Sequence, residues 1–248
     1  MSAGPLLALE TSSPKLGVAL FAPPNLSIER PITDGAKRGA ALALAMQEIL
    51  ASQNLKPKQL GALAVSTGPG SWTGLRIGIA AAKTMAWALG VPLVGVPSFE
   101  PLAETALRQA PQGASPRVVL CVRHAYSEGT YAALYKEGPA GAEAVLPECI
   151  LRANDFPAWL GVYAKEKLIL CGEARSVLDL RPQAEAGGWQ VLDTLEEVPA
   201  LAVAQCAWRR LEAGRAWTTK PEIHAAGPLY LRKSDPELKL ERRTPVSS

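Results

Sequence analysis

Residues 66–90 read S-T-G-P-G-S-W-T-G-L-R-I-G-I-A-A-A-K-T-M-A-W-A-L-G, and this stretch constrains the fold more than any other. The apolar run Leu63, Ala64, Val65 before it has the composition of a buried strand. It leads into a loop of glycine, proline and hydroxyl residues (Gly68, Pro69, Gly70, Ser71, Trp72, Thr73), and the loop opens an apolar helix. The first amides of a helix lack intrahelical partners, so such a loop either meets an anion or sets an approach angle, with Ser71 or Thr73 as cap. It is not a P-loop, because no G-K-[ST] follows. Within the helix Gly74, Gly78, Ala82, Ala86 and Gly90 recur every fourth residue and share a face. Glycine inside a helix costs roughly 1 kcal/mol relative to alanine, so Gly78 calls for an offsetting close approach, and helix packing is the simplest.

The rest of the chain supplies the layers around this unit. Strands are expected at 6–10, 16–21, 26–30, 60–66 and 92–96, with helices at 38–52, 73–89 and 99–108. The order then repeats, with strands at 118–122, 130–135, 143–147, 168–171 and 190–192 and helices at 155–163, 174–180 and 201–213. Pro111 to Pro116 is the best linker. Alternation of this kind implies an α/β chain with mixed, mostly covered sheets. Three meandering strands followed by αβαβα, given twice, resembles the actin-like, ribonuclease H-like layout, a likeness of fold that carries no function by itself. The expected division is 1–110 joined by 225–235, then 116–217, then a mobile charged tail at 236–248.

Composition removes several classes. A net charge of +3 over 248 residues is too small to argue for nucleic-acid binding on its own. Cys121, Cys149, Cys171 and Cys206 lie far apart with no C-x-x-C, so buried free thiols in a reducing cytoplasm are expected rather than zinc or a redox pair. His124 and His224 form no metal-binding spacing, and no nucleophile stands beside a base in the sequence. Met1 to Pro5 lacks a basic start before a long apolar core, and the most apolar window, 75–96, contains Arg76 and Lys83, so neither leader nor membrane span is expected. Glu10-Thr11-Ser12-Ser13 at the end of the first strand reads as a turn with local side-chain bonds, or as a holder of metal and phosphate.

Ala40 to Met46 is A-A-L-A-L-A-M, seven apolar residues in succession. A helix covering one sheet needs an apolar stripe on one side only. Together with the small-residue stripe this predicts a two-helix protein interface through Leu42, Ala45, Met46, Ile49, Gly74, Gly78, Ala82 and Arg76. Arg76 and Lys83, seven apart, either meet a partner's carboxylates or form a solvated edge. Pro228 to Arg232 is a short apolar segment returning to the first half.

The stretches L-A-L-E-T-S (7–12), S-T-G-P-G-S-W-T-G-L-R-I-G (66–78), G-V-P-L-V-G-V-P-S (90–98) and P-L-Y-L-R (228–232) resemble the bacterial TsaB family, the dimerization subunit of the tRNA threonylcarbamoyladenosine complex. The resemblance implies the duplicated actin-like fold and a cytoplasmic, non-catalytic scaffold. It implies pairing with a TsaD-like transferase through helices 38–52 and 73–89, with a TsaE-like ATPase joining and tRNA served through the complex. The adenosine modified lies next to the anticodon in tRNAs reading codons that begin with A. ATP and metal would then belong to the partner subunits, with no cofactor in the isolated chain, which would form a homodimer through the same face. The sequence departs from the family pattern at Glu10 (usually Asp), Trp72 (usually Phe), Lys37-Arg38-Gly39 (usually His-Ser-Glu) and His124-Ala125-Tyr126 (usually Asp-Ala-Arg). The competing reading is a stand-alone actin-like ATP-dependent kinase of a small molecule, motivated by Glu10, Thr11 and the glycine-rich loop.

Overall fold

The structure, a computed structural model, describes residues 4–32, 38–111, 117–125 and 129–231. The charged tail, most of the expected linker, Lys37 and Tyr126 lie outside them.

In the first sheet β1 (Leu6–Glu10), β2 (Leu16–Ala22) and β3 (Leu26–Ile32) form an antiparallel meander. β4 (Ala62–Gly68) and β5 (Leu93–Pro97) continue the sheet in parallel on the other side of β1. The second sheet is built from β6 (Val118–His124), β7 (Thr130–Gly138), β8 (Gly141–Leu151), β9 (Ile169–Gly172) and β10 (Gln190–Val191). Each sheet runs third, second, first, fourth, fifth in its own chain order. This is the duplicated actin-like α/β architecture expected from the element order.

Period-two alternation assigns the faces. On β1, Leu6 and Ala8 enter the core between the sheets, while Leu7 and Leu9 face outward under α1 (Arg38–Ser52) and α2 (Trp72–Leu89). On β6, Val119 and Cys121 face the middle, and Val118, Leu120 and Val122 face the outer helices α4 (Phe156–Leu160) and α5 (Ala174–Gly187). The middle core is filled by α3 (Phe99–Gln109) and α6 (Ala200–Glu212), and each half lends its helix to the other's sheet. α3 packs on β6, β8 and β9, whereas α6 covers β1 and β2. Alanines on the inner face (Ala8, Ala19, Ala62, Ala64) and on α6 (Ala200, Ala204, Ala207) let that helix lie close. A methyl added at Gly17 would stand 3.1 Å from Ala200 Cβ.

Four elements differ from expectation. The short helix at 174–180 is the fourteen-residue α5, which continues through Pro182 to Gly187. The helix at 155–163 is one short turn of α-helix between 3₁₀ turns, with Gly161 in the left-handed region at φ 54°. The strand at 143–147 is the eleven-residue β8, whose pairing with β7 contains register shifts. An unexpected helix, α7 (Lys220–Ala225), opens on a capping box in which Thr219 and Glu222 exchange side-chain bonds. Residues 217–231 then run back along the first half: Trp217 exchanges backbone bonds with Leu93 (2.9 Å each), and Leu229 N donates to Thr67 O at 2.7 Å.

Candidate functional site

The C-terminal ends of β1, β4 and β6 converge where an actin-like fold would hold a nucleotide. Glu10, Thr11, Ser12 and Ser13 are all buried there. Glu10 Oε1 accepts from Ser12 N (2.7 Å), Ser12 Oγ (2.6 Å) and Ser13 N (3.0 Å), and Oε2 accepts from Ser66 Oγ. The turn with local side-chain bonds is therefore present. From the second sheet Arg123, 5% exposed, reaches across. Its Nη1 donates to Ser12 O and Ser12 Oγ (3.2 Å each) and to Pro69 O (3.0 Å), and Nη2 donates to Ser13 Oγ (3.0 Å). Arg38 Nη2 adds a bond to Ser13 O at 2.8 Å. The carboxylate is engaged by neighbouring hydroxyls and amides, and a methyl added at Gly70 would come within 2.8 Å of Arg123 Nη1. Sequence reasoning missed Arg123; its signal was a charge inside the apolar strand V-V-L-C-V-R-H.

The glycine-rich loop shapes the start of α2. Ser71 is the cap, its Oγ accepting from Gly74 N at 3.2 Å, and Ser71 N donates to Ser12 O at 2.8 Å. Gly68, at φ +108°, donates its N–H to Ser98 Oγ (3.1 Å) and accepts from Ser98 N (2.8 Å). Trp72 stacks on Tyr230 with ring centroids 3.9 Å apart, and Thr73 is exposed.

The expected interface residues do not share one surface. Leu42, Ala45 and Ile49 are buried in the core beneath α1, and Met46 is half-buried against it. Gly74, Gly78 and Ala82 are buried too and face the chain's own sheet: a methyl at Gly78 would meet the Thr11 side chain, and one at Gly74 the Thr11 carbonyl. The stripe from Gly74 to Ala86 is thus the inner side of α2, and the close approach it permits is to Thr11, directly after β1 of the same chain; Gly90 is instead the exposed left-handed cap that ends the helix, at φ 68°. Arg76 is exposed but engaged, 4.6 Å over the Trp72 ring with Nε donating to Tyr230 Oη at 3.0 Å. Lys83 is likewise used internally, holding the carbonyls of His224 and Ala226.

What α1 shows to the outside is Gly39, Ala40, Ala43, Leu44, Gln47, Ala51 and Ser52, with Leu44 55% exposed. Between α1 and α2 runs a groove of about 280 Å³ lined by Gly39, Ala43, Met46, Ile77, Ala81 and Met85. Both helices lie on the outer face of the first sheet, away from the second. Among the described residues the second sheet and its helices leave this surface uncovered, while residues 217–231 pack against α2.

The thiols are buried or half-buried as expected. Burial pushes Cys121 well up, with Cys171 Sγ 3.7 Å away, and raises Cys149 to about 11. Thiols held protonated in this way are poor nucleophiles. His124 N donates to Glu173 Oε2 at 3.0 Å. Among the described residues no helix is long and apolar enough to cross a membrane, and no group of His, Cys, Asp or Glu is arranged to hold a metal.

A family model described as TsaD, tRNA N6-adenosine threonylcarbamoyltransferase, matches residues 38–176, more than half of the chain. The chain is 39% identical over 99 residues to the tRNA threonylcarbamoyladenosine biosynthesis protein TsaB of Bacillus subtilis (strain 168), covering 40% of this chain and 43% of that one. The chain belongs to this family, in its TsaB branch. The TsaB of Escherichia coli (strain K12) is 30% identical over 104 residues, covering 42% of this chain and 45% of its own. The matches thus span less than half the length of these curated TsaB relatives. Among solved structures, YeaZ from Pseudomonas aeruginosa superimposes with a TM-score of 0.75 at 21% identity, over 92% of this chain and 100% of that one, a likeness of fold.

Proposed function

We propose that this chain is a non-catalytic subunit of the machinery that makes threonylcarbamoyladenosine in tRNA, and that it docks a TsaD-like transferase through the outer faces of α1 and α2. The observation that carries this reading is the low-relief outer face of α1, whose acid Glu48 is paired with Arg30, beside the α1–α2 groove on the side away from the second sheet. Exposed apolar patches of that kind mark interaction sites. In isolation the same face pairs two copies of the chain. A TsaE-like ATPase completes the assembly, and tRNA is engaged through the complex. ATP and metal are supplied by the partner subunits, which agrees with the filling of the cleft by Arg123.

Sedimentation of the full chain with its cognate TsaD-like protein tests the reading. A one-to-one complex at micromolar concentration is expected, and Leu44→Glu should abolish it. The absence of a complex, or a complex indifferent to a charge at Leu44, would overturn it. Calorimetry with magnesium-ATP addresses the kinase alternative: tight binding by the isolated chain would reinstate it.

A further inference from the structure

A second cavity, of about 480 Å³, lies between α3, α6 and the β7–β8 hairpin. That volume is in the range of small-molecule sites. Its charged walls are of two kinds. Arg210 forks onto Glu100, with Nε 3.1 Å from Oε2, and Arg209 pairs with Glu104. Glu104 also accepts from Ala142 N at 2.9 Å, which ties the hairpin to α3. These pairs neutralise one another and hold the walls in place.

Glu148, on β8, is the other kind. Its Oε1 accepts from Tyr135 Oη at 2.7 Å, and among the described residues no cation pairs with it. Tyr135 is 2% exposed, and burial holds its phenol well above the ordinary tyrosine value, so it stays a neutral donor that fixes the carboxylate. Arg215, also lining the cavity, is exposed and has no acidic partner among the described residues. A half-buried carboxylate that is oriented but not neutralised favours a cation arriving from outside.

We propose that this cavity binds a small primary amine, its ammonium group donating to Glu148, with Arg215 placed to meet a carboxylate where the amine carries one. The chemistry rests on the cavity alone and is independent of the α1–α2 face.

Calorimetry on the full chain with putrescine, lysine and the diacid adipate provides the test. Putrescine and lysine are expected to bind saturably at millimolar concentration, and adipate is not. Glu148→Gln keeps the shape and removes the charge, and should weaken both amines by about tenfold or more, as expected for a charge-assisted hydrogen bond. Tyr135→Phe, which leaves the carboxylate but frees its orientation, should give a smaller loss. Circular dichroism confirms that each variant is folded; if the Gln variant is not, the Phe variant and the adipate comparison decide. The proposal is overturned by the absence of saturable amine binding, by adipate binding as well as putrescine, or by unchanged affinity in folded Glu148→Gln.

Discussion

Replacing Gly78 with alanine separates inward packing of the α2 stripe from outward display. On a solvent-facing helix the change would stabilise by roughly 1 kcal/mol, because alanine is the better helix former. In this fold the new methyl would stand 2.9 Å from Thr11 Cγ2 and 3.0 Å from Thr11 Cβ, and closer still to Oγ1. Thr11 is fully buried directly after β1, so relief requires α2 or the sheet edge to move. Overpacking of a close-packed core costs about 1–3 kcal/mol, and a contact this tight belongs at the upper end. Subtracting the propensity gain leaves a net loss of about 2 kcal/mol, or about 4–8 °C in Tm for a chain of this size. Urea unfolding followed by circular dichroism reads the difference. Thr11→Ala removes Oγ1 and Cγ2, the two nearest atoms, and leaves only Cβ at 3.0 Å; since Thr11 Oγ1 has no hydrogen-bond partner among the described residues, no bond is forfeited. In that background Gly78→Ala should be neutral or stabilising, a coupling of about 2 kcal/mol in the double-mutant cycle. Gly74→Ala meets the Thr11 carbonyl instead and should not be rescued. If Gly78→Ala stabilises the native background, or Thr11→Ala fails to rescue it, the stripe does not pack as described.

Arg123→Ala strands Ser12, Ser13 and Pro69 groups in a buried site, with an expected loss of about 1–3 kcal/mol in denaturant unfolding. An unchanged midpoint would show that Arg123 does not bind the two halves together. Leu44→Glu should leave stability within about 0.5 kcal/mol while eliminating self-association in sedimentation, since an exposed side chain gives up little burial; a stable dimer of that variant counts against the α1–α2 face. Burial raises the Glu197 carboxyl above its ordinary 4.5, so folding favours the protonated acid and the charged form is penalised. Glu197→Gln should therefore stabilise at neutral pH, with the gain shrinking as pH falls through the raised value and gone below 4.5. The Arg117 hydrogen bond lowers Glu137 instead, so its contribution is present above 4.5 and lost as pH falls through the lowered value; Glu137→Gln should flatten that acid limb.

Most of the fold was legible because it rests on periodicity. Leu7 and Leu9 against Leu6 and Ala8 already separate two faces, and the length of the 38–52 run identifies a helix. The small-residue stripe was read correctly as a sign of close approach and incorrectly as a sign of where. Spacing of four reports that a neighbour comes near, not whether that neighbour is β1 of the same chain or another polypeptide. The charge of Arg123 inside an apolar strand was a visible signal, but its partners were not: Ser12 and Pro69 lie 111 and 54 residues away, and no local pattern encodes bonds of that span. α7 carried only a short local signal, Thr219-Lys220-Pro221-Glu222, too brief to stand out against turns.

The two halves of the duplicated unit differ in the charge on their outer helices, and that difference bears on the proposed docking face. The middle layer is shared, since α3 and α6 lie between the sheets and are covered on both sides. Only the outer helices remain to distinguish the halves. Over the second sheet α5 exposes Asp179 and Glu185 among its described residues, together with Leu178 at 59% exposure. Over the first sheet α1 exposes alanines, Leu44 and Gln47, and its Glu48 is already paired with Arg30. A helix face without free charge gains little from water and loses little on being covered. One fold, used twice, thus carries unpaired acids on the outer helix α5 of its second half and none on α1 of its first, the difference that the proposed docking through α1 and α2 would use.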